Sequence, residues 1–226
     1  MAGGLERRPL CPPVVDAGRG RAGVALAPAS CEHATRMGSS GGTRTKATSG
    51  RMGGRGDAVR FYDPVIEASE HPIIAYHIPK YAVPVPADLV EALPFWGVKD
   101  SGGEPDYAEA VLKADKGVLV GTEDDVRGRV VAGAQGAISA LANFVPEEVV
   151  ALYESACSGD QARGKALAGV LSEARIRTKE HSSPAVLKRL AQERLGVPMG
   201  TVRPPFVPLP KGYDPRGVLR LMDVAI

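Results

Sequence analysis

Two side chains in this chain of 226 residues sit where their chemistry can be put to use. Lys99 ends an otherwise apolar run, Phe95-Trp-Gly-Val-Lys99, directly before the polar, glycine-containing stretch Asp100-Ser-Gly-Gly103. A lysine amine attacks a carbonyl carbon only when neutral, and a free lysine, with a pKa of about 10.4, is neutral in fewer than about one molecule in a thousand at pH 7. Apolar surroundings favour the neutral form, and burial brings such amines to a pKa of about 7 to 8. Lys99 is therefore a nucleophile toward a carbonyl substrate, or, in the alternative, a side chain that snorkels from a strand end into water. Tyr76 follows Ile73-Ile-Ala and is also expected near a strand end, where a phenol can carry protons to and from a reacting atom. The alternative for Tyr76 is a core tyrosine with a satisfied hydroxyl. His77 points to the opposite face by the period of two and is expected to pack against a helix layer.

Other patterns are weaker. Ser101-Gly-Gly lacks the context of a dinucleotide or P-loop fingerprint and reads as a tight turn. Glu123-Asp-Asp125 reads as an acidic helix start rather than a metal site, because no histidine or further carboxylate has matching spacing. Cys11, Cys31 and Cys157 are odd in number and lack CxxC spacing, which favours neither a disulfide framework nor zinc. Nothing in the sequence calls for a metal or organic cofactor.

Lys99 and Tyr76 must be positioned by a sheet. From residue 58 onward, short apolar runs ending in polar clusters alternate with amphipathic stretches, the pattern of βα units on a parallel sheet. Strands are expected over His71–Pro79, Phe95–Lys99, Gly117–Gly121 and Gly136–Ala142. Helices are expected over Ala87–Leu93, from Pro105, over Glu123–Ala132, from Pro146, over Gln161–Lys179 and over Ser183–Leu195, with Ser182 or Ser183 as cap and Gly196 as stop. The segment after Met199 is Pro-rich. Such units build half of an eight-stranded barrel or a small doubly wound sheet, and periodicity alone leaves both open.

Residues 1–57 carry nine basic against four acidic side chains, while the whole chain has a net charge of only +2. The basic balance thus belongs to this Gly/Arg-rich leader, and the body from residue 58 is net acidic, so nucleic-acid binding is not indicated. The leader has no sustained period and too little apolar area to offset a backbone ordering cost of about 1 to 2 kcal/mol per residue, so it is expected to be disordered. No run reaches the roughly 18 consecutive apolar residues of a membrane span, and no secretory signal is evident, so a cytoplasmic protein without membrane partners is expected.

Taken in order, Tyr76-His-Ile-Pro79, Gly97-Val-Lys-Asp-Ser-Gly-Gly103, Val120-Gly-Thr-Glu-Asp124, Gly136-Ala-Ile-Ser-Ala-Leu-Ala-Asn143 and Gly200-Thr-Val-Arg-Pro-Pro-Phe-Val-Pro-Leu209 resemble the second half of the dihydrodipicolinate synthase and N-acetylneuraminate lyase family. The resemblance covers about residues 60 to 210. It implies an α/β fold, a partial (β/α)8 TIM barrel comprising about strands 5 to 8 with C-terminal helices, over residues 58–226. It also implies a class I aldolase or lyase in which Lys99 forms a Schiff base with pyruvate or a related 2-oxo acid and Tyr76 relays protons, with an aldehyde as second substrate and self-association into an oligomer. Ile138 matches a position whose backbone carbonyl contacts the bound oxo acid, and Gly121, Glu123 and Asp124 match a loop that touches the variable end of the substrate.

Two departures shape the expectation. Tyr81 stands where synthase members carry an arginine five residues after the relay tyrosine, which turns the reading toward another oxo-acid aldolase or lyase. A Gly-Thr-Thr-Gly-Glu motif, which holds the pyruvate carboxylate in the family, is not found. The chain is accordingly expected to be a truncated or frame-disrupted copy whose family frame resumes near residue 58. The competing expectation is an inactive aldolase fragment that only associates with other subunits.

Overall fold

The computed structural model describes residues 55–69 and 72–224. These fall into two compact units: one built from 55–121 and 128–138, the other from 122–127 and 139–224. The expected disorder of residues 1–57 lies outside the described residues except at 55–57, which are helical and move the start of regular structure ahead of residue 58.

The first unit carries a sheet of four parallel strands in the order β1-β2-β3-β4. Helix α1 (Arg55–Glu67) precedes β1 (Ile73–His77), α2 (Ala87–Ala92) leads to β2 (Phe95–Asp100), and α3 (Pro105–Lys113) leads to β3 (Gly117–Val120). After a 3-10 turn at Glu123–Asp125, α4 (Val126–Val131) leads to β4 (Gly136–Ala137). Sequential βα units in parallel order are what the apolar runs predict, since a parallel pair requires a crossover.

β3 and β4 are buried on both faces, as strands of parallel sheets commonly are, while β1 and β2 leave Tyr76 exposed and Lys99 half-buried on one face. On one face Ala75, Val98 and Val118 are buried together with Leu89 and Val90 of α2 and Ala108 and Val111 of α3. Tyr62 of α1 meets Phe95 edge to face, with centroids 5.0 Å apart. On the other face the strands approach closely at two glycines. A Cβ on Gly97 would run into the backbone of Gly117, and one on Gly117 would run into the Trp96 ring.

The fourth expected strand is shorter than the apolar run Gly136–Ala142 suggests. It ends at Ala137, and Leu141–Asn143 forms a 3-10 turn instead. The physical reason is Ser139, whose hydroxyl accepts the Leu141 N–H at 3.0 Å and turns the chain out of the extended conformation. The expected helix Glu123–Ala132 likewise divides into the 3-10 turn and α4.

The second unit is helical. It contains α5 (Pro146–Ser158), α6 (Gln161–Arg177), α7 (Ser183–Leu195) and α8 (Arg216–Leu219), followed by a 3-10 turn at Met222–Val224. Asp160 caps α6 by accepting the Arg163 N–H at 3.0 Å, and Gly196 ends α7 with φ of 66°, a conformation that an L side chain resists. Its core is Leu141, Phe144, Leu152, Leu171, Val186 and Leu190. Among the described residues, no helix is long and apolar enough to cross a membrane.

Candidate active site

Tyr76 and Lys99 are register partners near the ends of β1 and β2, so parallel pairing sets their side chains on one face of the sheet. The Lys99 Nζ lies 4.2 Å from the centroid of the Tyr76 ring. Lys99 is half-buried, and Tyr76 is 46% exposed, which removes the core-tyrosine alternative for that residue. Contact with the ring face attracts an ammonium by about 0.5 to 1 kcal/mol at exposed sites. The carboxyl ends of parallel strands are where open and closed α/β sheets bind ligands.

The neighbouring strand ends are tied in sequence. The Ser101 N–H donates to the His77 carbonyl at 2.8 Å, the Gly121 N–H to the Asp100 carbonyl at 2.7 Å, and the Ile138 N–H to the Val120 carbonyl at 2.8 Å. Gly121 is buried, and a Cβ there would strike the Ser101 hydroxyl and sit 2.7 Å from the Asp100 carbonyl oxygen. Glycine is therefore required by space at this strand end. Ile138 is half-buried just past β4.

Glu123 and Asp124 belong to the second unit. The Glu123 side chain is fully buried, and both of its carboxylate oxygens are taken: Oε1 accepts from the Ser139 hydroxyl and Oε2 from the Arg175 guanidinium at 2.7 Å. Asp124 is exposed.

Behind the Tyr76–Lys99 pair, on the opposite face, lies a second polar group that sequence reasoning missed. His77, Asp100 and Arg129 are all buried there. His77 packs as its position in the strand requires, its ring stacked on Tyr107 with centroids 3.8 Å apart. Burial pushes the Tyr107 phenol far above the ordinary tyrosine range, and the charges of Asp100, Tyr62 and Glu104 add to this. The Asp100 carboxylate accepts the N–H groups of Gly102 at 2.9 Å and Gly103 at 3.4 Å. The signal for these contacts was in the sequence only as an Asp before a Gly-Gly pair, a common turn former.

His77, Asp100 and Glu104 bring one ligand-type atom each to within 4.8 Å of one another. The donor set does not suit a metal. His77 Nδ1 accepts the Val85 N–H at 3.3 Å, so a neutral ring carries its proton on Nε2, the nitrogen 3.8 Å from Glu104 Oε2. Asp100 Oδ2, in turn, is 3.6 Å from the Arg129 guanidinium. The cluster is better described as a network that holds a loop.

Comparison with known proteins bears on what these strand ends do. The sequence model of the dihydrodipicolinate synthetase family matches residues 55–218. A 4-hydroxy-tetrahydrodipicolinate synthase of Thermomicrobium roseum is 29% identical over 153 residues, 64% of this chain and 50% of that protein. An uncharacterised DapA-like lyase of Halobacterium salinarum is 31% identical over 156 residues, 66% of this chain and 51% of that protein. The chain thus spans about half the length of these curated relatives. Among solved structures, a variant of the Sulfolobus solfataricus 2-keto-3-deoxygluconate aldolase superposes with a TM-score of 0.70 at 21% identity, covering 77% of this chain and 60% of that one. The dihydrodipicolinate synthase of Agrobacterium tumefaciens superposes with a TM-score of 0.60 at 27% identity, covering 75% and 60%. The four parallel strands are accordingly those of a partial TIM barrel.

Proposed function

The chain belongs to the dihydrodipicolinate synthetase family, and from that premise we propose that it is a Schiff-base-forming aldolase or lyase acting on pyruvate or a related 2-oxo acid. The observation that carries the reading is the pairing of Lys99 with Tyr76, an amine held over a phenol ring at the carboxyl ends of adjacent parallel strands. The domain that performs this chemistry is taken as residues 58–226.

Neutral Lys99 attacks the 2-oxo carbon, and the resulting carbinolamine loses water to leave an imine. Its protonated nitrogen draws electrons from C3, a proton leaves C3, and the enamine so formed attacks the carbonyl carbon of an aldehyde, whose oxygen takes up a proton. Water then releases the product and the free amine; in the opposite direction the hydroxyl gives up its proton as the carbon–carbon bond breaks, the aldehyde departs, the enamine carbon is protonated, and water releases the 2-oxo acid and the free amine. Tyr76, exposed beside Lys99, is the group that moves these protons. The Ile138 carbonyl is assigned to the bound oxo acid.

Gly121, Glu123 and Asp124 are assigned to the variable end of the substrate. Since both Glu123 oxygens are engaged by Ser139 and Arg175, its share is to shape the loop, and the exposed Asp124 offers the side chain. Tyr81, at the position of the synthase arginine and 75% exposed, favours an oxo-acid aldolase or lyase other than the lysine-pathway synthase. Self-association into an oligomer is part of the same reading. Incubation with pyruvate and sodium borohydride, followed by mass spectrometry of the peptide containing Lys99, tests it. A reduced adduct supports the imine, and its absence in folded protein leaves a non-catalytic relative.

A further inference from the structure

We infer that Arg129 is a positioning residue for Lys99, acting through Asp100 and the loop that leaves β2. The inference rests on the reading of Lys99 as the imine-forming amine. Arg129 lies on α4 and is only 7% exposed, so its charge has to be met inside the protein. Its guanidinium donates to the carbonyls of Gly103 at 2.7 Å and Glu104 at 3.2 Å, while Nη1 stands 3.6 Å from Asp100 Oδ2. Asp100 Oδ1 accepts from the N–H groups of the same loop, Gly102 and Gly103. Two buried opposite charges therefore hold the N–H and C=O groups of one short loop and face each other across it.

The loop needs such a clamp. It contains two consecutive glycines, one of them with φ of 89°, and unrestrained glycine explores more conformations than any other residue. Asp100 directly follows Lys99, and its carbonyl accepts the Gly121 N–H, so any shift of the Asp100 backbone moves the point from which the Lys99 side chain starts. A misplacement of about 1 Å costs on the order of a hundredfold in rate. Lysine cannot replace the arginine fully, because only a planar fork reaches two carbonyls and a carboxylate together.

The test compares the full chain with Arg129→Gln, Arg129→Lys and Asp100→Asn, with Lys99→Ala as control. Three quantities are read: amide hydrogen exchange over residues 100–104, the rate of borohydride trapping as a function of pyruvate concentration, and the rate at which acetic anhydride labels Lys99. Arg129→Gln is expected to speed exchange of the loop and to lower trapping at saturating pyruvate by about tenfold to a hundredfold, with half-saturation little changed. Arg129→Lys is expected to fall between Arg129→Gln and the parent. Unchanged exchange overturns the inference, and so does faster exchange with unchanged trapping and labelling. If the parent chain forms no pyruvate adduct, the imine reading fails by itself. Anhydride labelling then decides the positioning claim, which stands if Arg129→Gln alters the labelling rate of Lys99 in folded protein and falls if it does not. Should Arg129→Gln fail to fold, Asp100→Asn decides by the same readings, since it keeps the side chain's shape and one oxygen to accept from the loop N–H groups, while the oxygen facing Arg129 is replaced by an NH2 group and the charge is lost.

Discussion

The Lys99 Nζ lies 4.2 Å from the centroid of the Tyr76 ring, and the two residues are direct partners in the β1–β2 register. A cross-strand pair in a parallel sheet shares a face, so an amine and a phenol reach the same space without a loop having to bring them together. The neighbours of each on the opposite face, His77 and Asp100, are also register partners, and they anchor the strand ends from behind.

Tyr76→Phe keeps the ring under the amine and removes only the hydroxyl. If the phenol relays protons, turnover with a 2-oxo acid and its aldehyde falls by about a hundredfold or more, while the trapped Lys99 adduct still forms. Steady-state rates and adduct mass, measured on the same preparation, check both halves of this expectation.

Glu123→Ala removes the buried partner of Arg175 and of the Ser139 hydroxyl. Breaking a buried pair from one side costs about 3 to 5 kcal/mol, because the remaining charge is left uncompensated. The lower end is expected, since the Arg175 side chain retains 23% exposure and water reaches it. Urea unfolding of Glu123→Ala, beside the double variant Glu123→Ala/Arg175→Met that recovers part of the loss, measures this.

The Tyr107 hydroxyl is buried with no hydrogen-bond partner among the described residues. At neutral pH Tyr107→Phe is therefore expected to be neutral or to stabilise by about 1 kcal/mol. At alkaline pH the sign is set by the raised pKa. The unfolded chain ionises this phenol near pH 10, while the folded state holds it neutral to higher pH. The stability it contributes is fully present below about pH 10 and is lost as pH rises above that value. Tyr107→Phe should lose stability less steeply than the parent above pH 10, and denaturant midpoints at pH 8 and above pH 10 show it. Tyr62, also raised by burial, keeps some loss in the variant.

Gly97→Ala has no room. Its Cβ would meet the Gly117 backbone, which is hydrogen-bonded in the sheet and cannot swing aside as a side chain would. A loss of about 1 to 3 kcal/mol or more is expected from this overpacking, seen as a lower thermal midpoint than that of Gly169→Ala, where a Cβ meets nothing within 4 Å.

Much of this architecture was legible in the pattern of apolar runs. β1 and β3 fall within the runs that predicted them, β2 runs one residue past its own to Asp100, and Pro105 and Pro146 open helices where their missing N–H does least harm. The placement of His77 on the face opposite Tyr76 follows from the period of two alone. β4 was misjudged in length because Ser139 is a small residue in an apolar run, and only its hydrogen bonds show that it turns the chain. The Glu123 carboxylate gave no sign of being buried, since its counter-charge comes from Arg175, far along the chain on α6. The same holds for Asp100 and Arg129: opposite charges separated in sequence become partners only through the sheet and helix between them.

The most direct test of the central claim is the mass of the purified protein after incubation with pyruvate and sodium borohydride, beside a Lys99→Ala control. An adduct of reduced pyruvate imine that maps to Lys99 and is missing from the control is the expected result. A folded protein that gains no such mass, or gains it equally when Lys99 is alanine, contradicts it.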